Sequence, residues 1–182
     1  MNVPTSALEV WPALINLCWQ VQPRRILDVG PGHGKAAVLL REYIGTVERG
    51  NGPIEHIAAV EAEPRYVDLF PWLDRVYDEL IVGDACELPK AVLDRFDLVV
   101  MSDVIEHMER DAALALIDRI DGHIVISTPA VFFQNPEADA GWETERHRSH
   151  WSARDFPRVE AERRDLLRTL RCVLVRLGRR NP

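Results

Sequence analysis

The stretch that decides the fold is residues 25–35, which read RILDVGPGHGK. Its apolar first half predicts a short buried strand, and residues 36–43 that follow it predict a helix. Between them lie Gly30, Gly32 and Gly34. The first glycine permits a tight turn, the second has no side chain to block a ligand, and the third lets the helix start close to the strand. A strand, a glycine turn and a helix in this order bring the backbone close to a nucleotide-like ligand.

Asp28, just before the glycines, separates two classes of ligand. A dinucleotide would place its pyrophosphate at this turn, where a carboxylate would repel it. A ligand with a cationic centre and an amino group tolerates the acid better. S-adenosylmethionine (SAM) carries a sulfonium and an ammonium and no phosphate, so Asp28 favours SAM over a nicotinamide cofactor.

Residues 26–34 resemble motif I of the class I SAM-dependent methyltransferases. Three later segments resemble the other motifs of that family in the right order: VEA at 60–62, GDA at 83–85 and DLVVMSDVIEH at 97–107. The resemblance is strong over roughly residues 22–130 and weak at both ends. It implies a Rossmann-like α/β fold with a seven-stranded, mostly parallel sheet in the order 3-2-1-4-5-7-6 and helices on both faces. It also implies SAM as the cofactor and S-adenosylhomocysteine as its product.

The cofactor residues follow partly from position and partly from the resemblance. Glu61 directly follows the second predicted strand, residues 54–60, and a carboxylate at this position can accept both ribose hydroxyls. By resemblance, Asp84 faces the adenine amino group, and the backbone of Ala85 or Cys86 reads a ring nitrogen. The full predicted set is Asp28, Gly30, Gly32, Gly34, Glu61, Ala62, Asp84, Ala85, Cys86, Ser102 and Asp103.

The acceptor side is predicted from residues after the fourth strand, residues 96–101, because open α/β sheets place their active sites at the carboxyl ends of the strands. If residues 103–107 turn as a helix, then Asp103, Glu106 and His107 share one face and could hold a divalent metal. The stretch is similar to part of the small-RNA terminal 2′-O-methyltransferases, which use a Glu/Glu/His/His metal site.

The similarity extends to the His-x3-Trp spacing of residues 147–151. However, Asp103 stands in place of the first glutamate, and methyltransferases of the quinone-biosynthesis type also carry an Asp-Val-Ile-Glu-His stretch. We therefore expect no metal in this site. We predict His107 and His147 as the catalytic residues, with one of them acting as the base, while His150 is a further candidate on the acceptor side.

The chain is predicted to form a single domain over residues 1–182, with an N-terminal helix within residues 1–22. Residues 131–151 form a long polar segment with aromatic residues and histidines, which predicts a lid over the substrate. Helices are predicted over residues 35–44 and from Pro64 to about residue 73. Residues 159–166 and 169–177 are predicted as the antiparallel strands that close the sheet.

Net charge, cysteine content and hydropathy restrict the class of function. The 182 residues carry a net charge of −7, which disfavours a general nucleic-acid binder. Three scattered cysteines and the lack of a signal peptide or long apolar run predict a cytoplasmic protein. The sequence favours methyl transfer to a small-molecule acceptor, on oxygen. Two alternatives stay open: a metal-assisted RNA 2′-O-methyltransferase, and a SAM-binding regulatory module without transfer activity.

Overall fold

The computed structural model describes residues 6, 8, 10–45, 54–134, 141–156, 159–162 and 172–178. The strands are β1 (Arg25–Val29), β2 (His56–Glu61), β3 (Glu79–Val82), β4 (Leu98–Ser102), β5 (His123–Pro129), β6 (Val159–Glu162) and β7 (Cys172–Leu177). The α-helices are α1 (Val10–Val21), α2 (Lys35–Leu40), α3 (Pro64–Leu69), α4 (Leu73–Val76), α5 (Lys90–Leu93) and α6 (Arg110–Arg119). A π-helical turn covers Arg41–Gly45, and 3-10 turns cover Ala85–Glu87, Ile105–His107, Glu143–Glu145 and Ala153–Asp155.

All seven strands form one sheet in the order β3-β2-β1-β4-β5-β7-β6. The first five run parallel, and β7 pairs antiparallel with both β5 and β6. The predicted fold class and strand order are therefore confirmed. Since the order reverses between β1 and β4, the carboxyl ends of these two strands flank the crevice where open sheets of this type bind ligands.

The strand β4 is apolar from Leu98 to Met101 because both faces of the sheet are covered there. In β4, Val100 belongs to the core cluster that contains α1 and α2, and Val99 belongs to the cluster on the other face, with α6. Both side chains are fully buried. Such alternation along a strand fixes the register, since a slip by one residue would exchange the two faces.

Two helices differ from the sequence prediction. The helix expected over 64–73 is two helices, because Pro71 cannot donate a backbone hydrogen bond and disfavours a helical residue before it. Pro64 does start α3 as predicted, behind a Glu63 cap that accepts from the Arg65 N–H. The helix predicted from Lys35 ends in the π-helical turn.

The chain ends are covered only in part. The N-terminal helix begins at Val10, and residues 1–5, 7 and 9 lie outside the described residues. Of the predicted closing strands, the structure describes Val159–Glu162 and Cys172–Leu177. Residues 163–171 lie outside the described residues. The single domain over residues 1–182 stays a prediction.

Candidate active site

The three glycines of the turn after β1 all have positive φ angles, but they differ in what surrounds them. A Cβ on Gly30 (φ 67°) would lie 2.5 Å from the Val104 side chain, and one on Gly34 (φ 81°) would lie 3.1 Å from Leu73. Gly32 (φ 49°) has no atom within 4 Å of that position among the described residues. The first and third glycines thus permit close packing, whereas Gly32 leaves open space.

The open side of Gly32 faces a cleft of about 690 Å³ at the carboxyl ends of the central strands. This volume lies in the range of small-molecule and cofactor pockets. Of the predicted cofactor residues, the cleft is lined by Asp28, Gly30, Gly32, Glu61, Ala62, Asp84, Ala85, Cys86, Ser102 and Asp103. Gly34 lies behind the turn and does not line it. Both predicted catalytic histidines, His107 and His147, line the same cleft.

Asp28 is a buried acid at the floor of the cleft, with 1% of its surface exposed. The Tyr77 hydroxyl donates a 2.5 Å hydrogen bond to its Oδ2. Burial raises the pKa of Asp28 to about 7, and the bond from Tyr77 opposes this rise. The acid therefore changes charge near neutral pH and is sensitive to a cationic ligand.

Glu61 ends β2 and is also buried, with 5% exposed. Its Oε1 accepts a 2.8 Å hydrogen bond from the Glu63 N–H, which fixes the carboxylate at the strand end. Burial raises the pKa of Glu61 to about 7, the backbone bond lowers it, and the nearby charge of Glu145 raises it further. The ionised form is the better acceptor for two hydroxyl groups.

Asp84 has a structural role that the sequence did not indicate. Its Oδ1 accepts a 2.8 Å bond from the Cys86 N–H and so caps the 3-10 turn Ala85–Glu87. Because that bond occupies the Cys86 N–H, Ala85 is the better candidate to contact a ring nitrogen. Burial, followed by the charge of Asp84, raises the pKa of the Cys86 thiol to about 11. Because the thiolate is the nucleophilic form, a raised pKa favours a packing role for Cys86 over a nucleophilic one.

The described second half of the predicted lid, residues 141–151, packs against the body of the protein. The Arg148 and Ser149 N–H groups donate to the Glu106 carbonyl at 2.7 and 3.0 Å. The Trp151 ring is buried and its N–H donates to the Ile105 carbonyl. These bonds fix the segment to the turn after β4. The role of residues 131–151 as a lid stays a prediction.

Two residues that sequence reasoning missed, Tyr66 and Glu145, also line the cleft. The Tyr66 hydroxyl donates a 2.5 Å bond to the buried Glu145 carboxylate, and the Trp142 ring stacks on Tyr66 with centroids 5.0 Å apart. No local spacing signals a pair 79 residues apart. The one hint was that Glu145 lies in a segment rich in aromatic residues.

Three of the predicted acceptor-side residues meet, and we call Glu106, His107 and His147 the histidine cluster. One ligand-capable atom from each lies within 4.8 Å of the others. The two imidazole centroids are also 4.8 Å apart, and Phe133 packs on His147 at 4.6 Å. Glu106 and His147 are buried, with 3% and 5% exposed.

Both rings of the cluster are held by the backbone. The His107 ring bonds to the backbone of Arg146 and Glu145, and the His147 ring bonds to that of Phe133. Burial, followed by the charge of His147, lowers the pKa of His107 to about 4. Burial also lowers the pKa of His147. Both imidazoles are therefore neutral at pH 7 and carry a lone pair.

Asp103 does not join the cluster, which corrects the idea that residues 103–107 turn as one helix. Only Ile105–His107 form a 3-10 turn, and Asp103 has a left-handed φ of 53°. Its Oδ1 accepts a 3.0 Å bond from the Ser127 hydroxyl. His150 also lies outside the cluster, since its Nε2 is 3.1 Å from the Ala130 carbonyl oxygen.

A protein-family model described as a methyltransferase domain matches residues 7–163. The chain belongs to this family. The membership confirms the recognised class, the SAM-dependent methyltransferases, and with it SAM as the cofactor and S-adenosylhomocysteine as the product. No curated protein matches the chain.

Solved structures share the fold at low sequence identity. The N-terminal domain of EvdMO1, solved with S-adenosylhomocysteine and D-fucose, is 16% identical with a TM-score of 0.61, over 97% of this chain and 85% of that one. A SAM-dependent methyltransferase from Mesorhizobium loti is 18% identical with a TM-score of 0.62, over 96% and 99%. The PH0226 protein from Pyrococcus horikoshii OT3 is 16% identical with a TM-score of 0.62, over 94% and 88%.

The residues of the cleft fit the cofactor. Gly32 leaves the space that a ligand lying against the turn needs. Asp28 and Glu61 give this end of the cleft acidic groups, which suit a sulfonium, an ammonium and two ribose hydroxyls better than a pyrophosphate. In the part of the chain that the structure describes, no helix is long and apolar enough to cross a membrane.

Proposed function

We propose that this methyltransferase transfers the methyl group of SAM to an oxygen atom of a small-molecule acceptor. The observation that carries the proposal is the position of the histidine cluster. Two neutral imidazoles, His107 and His147, lie in the same cleft as the glycine turn and both strand-end acids. We also propose that the protein acts in the cytoplasm, because Cys18 and Cys86 are free thiols.

The cofactor end of the cleft is assigned to the turn and the three acids beside it. Gly32 and its neighbours accept the amino-acid part of the cofactor, Glu61 accepts the ribose hydroxyls, and Asp84 with Ala85 contacts the adenine. When bound, SAM supplies an electrophilic methyl group on a sulfonium that is already a good leaving group. The protein must therefore align the acceptor and remove its proton.

The acceptor end is assigned to the histidine cluster. In the absence of a further ligand there, His147 is the better proton acceptor of the two histidines. Its lowered pKa is opposed by the bond to Phe133 and by the charge of Asp103, whereas the pKa of His107 falls to about 4. His107 then orients the acceptor hydroxyl by hydrogen bonding.

The charge of the cleft supports a small acceptor and not RNA. The acids that line it are Asp28, Glu61, Asp84, Asp103, Glu106, Glu109, Glu143 and Glu145. Against these stand Lys35 and Arg148. An acidic cleft in a protein of net charge −7 repels a phosphate backbone, which nucleic-acid binders neutralise with lysine and arginine. Phe133 adds an apolar wall that suits an aromatic or aliphatic part of the acceptor.

The test is an acceptor panel incubated with the protein and SAM, with methylated products and S-adenosylhomocysteine read by mass spectrometry. We expect a hydroxyl-bearing small molecule to gain 14 mass units, the mass of an added methylene. The matched variant His147→Ala should cut turnover roughly 10²–10⁴-fold while cofactor affinity is kept. Methylation of RNA alone would overturn the small-molecule proposal. Tight S-adenosylhomocysteine binding with no methylated acceptor in any class would favour a regulatory module.

A further inference from the structure

Two hydrogen-bond donors, Lys35 and Trp11, lie at the corner of the cleft beside the glycine turn. Lys35 directly follows Gly34 and starts α2, and Trp11 lies in the first turn of α1. Both side chains line the cleft, and so does Ser6. The Lys35 Nζ lies 5.2 Å from the centroid of the Trp11 ring. A cation and an indole N–H from two different helices are thus brought together at the turn.

The indole of Trp11 is buried, with 6% exposed, and its Nε1–H has no hydrogen-bond partner among the described residues. The other fully buried indole behaves differently, since the N–H of Trp151 donates to the Ser149 hydroxyl at 2.7 Å. A buried donor left unpaired is destabilising, and a buried tryptophan usually finds an acceptor. An unpaired N–H in the wall of a ligand cleft indicates that the ligand supplies the acceptor.

Lys35 has no salt bridge to a carboxylate in the described part of the chain. Its Nζ makes one long contact there, 3.4 Å to the Ser6 carbonyl oxygen. Burial lowers the pKa of the Lys35 ammonium, and the charge of Asp103 opposes that shift. A partly buried ammonium without a paired anion is stabilised when an anion binds beside it. Lys35 is therefore suited to an anionic group of a ligand.

The cofactor carries one anionic group, the carboxylate of its amino-acid part. With Glu61 at the ribose and Asp84 beside the adenine, as proposed above, the amino-acid part lies at the glycine turn, next to Lys35. The lysine and arginine side chains that line the described cleft are Lys35 and Arg148. Arg148 lies on the acceptor side, where it pairs with Glu109 at 3.4 Å. Lys35 is thus the cation at the cofactor end.

We propose that Lys35 and Trp11 bind the carboxylate of SAM and of S-adenosylhomocysteine. The Lys35 ammonium forms an ion pair with this group, and the Trp11 N–H donates a hydrogen bond to it. Asp103, which accepts a hydrogen bond from Ser6, is available for the ammonium of the same amino acid. Holding the amino-acid end as well as the nucleoside end fixes the position of the sulfonium methyl group. The pair also selects for a cofactor with an intact carboxylate.

The experiment compares two ligands by calorimetry on the full chain: S-adenosylhomocysteine and its decarboxylated analogue, which keeps the ammonium and lacks only the carboxylate. The parent protein should bind S-adenosylhomocysteine about 10–100-fold more tightly, because the analogue leaves both donors unpaired. Lys35→Met should remove most of this preference and change the affinity for the analogue by less than about twofold. Lys35→Arg keeps the cation and should keep most of the preference. Trp11→Phe should reduce the preference about 3–10-fold.

The matched controls are Lys90→Met and Trp19→Phe. Lys90 is the one other lysine of the chain and is exposed, while Trp19 lies on α1 as Trp11 does. Neither lines the cleft, so both variants should keep the full preference for S-adenosylhomocysteine. Thermal unfolding checks that each variant is folded, and Lys35→Met decides the test if Trp11→Phe is not.

Equal affinity of the parent protein for the two ligands would overturn the inference. A Lys35→Met variant that keeps the preference, or that weakens both ligands alike, would overturn it as well. The outcome does not depend on an acceptor. If no small molecule were methylated, the proposed function would fail and the preference for the carboxylate would remain, whereas methylation by a protein without this preference would keep the function and remove the carboxylate site.

Discussion

The Tyr66 hydroxyl donates a 2.5 Å hydrogen bond to the Glu145 carboxylate and so joins α3 to the segment that carries His147. Tyr66 lies behind the end of β2, on the side of Glu61, while His147 lies on the acceptor side. The bond is buried, and the stack of Trp142 on Tyr66 reinforces it. The pair thereby helps to connect the two ends of the cleft, together with the 3.3 Å bond from the Thr144 hydroxyl to Glu63.

Loss of this bond should loosen the segment. Tyr66→Phe removes the donor and leaves a buried carboxylate without it, so we expect a loss of about 1–3 kcal/mol in the free energy of unfolding. Limited proteolysis should cut residues 141–151 faster in the variant, and S-adenosylhomocysteine plus an acceptor should slow the cut. The control is Tyr43→Phe, since Tyr43 is 55% exposed. Equal proteolysis of both variants would show that the pair does not hold the segment.

The affinity for S-adenosylhomocysteine should depend on pH through Glu61. Its pKa is raised to about 7, so the carboxylate that accepts the ribose hydroxyls is partly protonated below neutral pH. Binding should therefore tighten about tenfold from pH 6 to pH 8, the change expected for one ionisation in that interval. Glu61→Gln should weaken binding by about 1–3 kcal/mol and flatten the profile.

Calorimetry at several pH values checks this expectation, with Glu87→Gln as the control. Glu87 is exposed and does not line the cleft, so its variant should keep the pH profile of the parent protein. A profile that stays steep in Glu61→Gln would assign the titration to another acid, for which Asp28 is the first candidate.

The stability of the protein without ligand should fall as pH rises through the range in which Asp28 ionises. Burial raises the pKa of Asp28 from 3.8 to about 7, so the folded state holds its proton more tightly than the unfolded state. The stabilising contribution is complete below about pH 4 and is lost as pH rises to about 7. Asp28→Asn keeps an acceptor for Tyr77 and cannot ionise.

We therefore compare the free energy of unfolding of Asp28→Asn with that of the parent protein at two pH values. Between pH 4 and pH 8 the difference should shift in favour of the variant by roughly 1–4 kcal/mol. Denaturant unfolding at both pH values measures this, and Asp68→Asn on the exposed surface is the control. An unchanged pH dependence in Asp28→Asn would mean that Asp28 is ionised throughout and paired with a positive group.

Local sequence patterns were enough to predict the strands and the glycine turn, but not the contacts between segments that are distant in the chain. Apolar runs and the glycine turn located β1, β2 and β4, while the sheet order came from the family resemblance. The helix break at Pro71 was readable and was missed. The Tyr66–Glu145 bond joins segments far apart in the chain, which no spacing rule reaches, whereas the family resemblance had already placed His147 in one site with His107.

Asp103 illustrates the limit most clearly. Helical spacing placed it on one face with Glu106 and His107, but the turn is a single 3-10 turn that starts only at Ile105. The left-handed φ of Asp103 is rare outside glycine and is set by its bonds to Ser127 on the neighbouring strand. A tertiary contact thus decided which acid could join the cluster.

Substitutions at Gly30 and Gly32 should separate an effect on stability from an effect on cofactor binding. Gly30→Ala puts a Cβ 2.5 Å from Val104 at a positive φ, so we expect a loss of stability of about 1–3 kcal/mol or more. Gly32→Ala meets only the strain of its φ, but its methyl group enters the space where the cofactor lies against the turn. It should lower S-adenosylhomocysteine affinity at least tenfold while the protein stays folded.

Gly141→Ala is the matched control for Gly32→Ala. Gly141 has a positive φ of 91° and no described atom within 4 Å of an added Cβ, and it does not line the cleft. Its variant should show the same small strain in thermal unfolding and unchanged cofactor affinity in calorimetry. If Gly32→Ala bound S-adenosylhomocysteine as tightly as Gly141→Ala does, the cofactor could not lie against the turn, because a methyl group there would have to contact it.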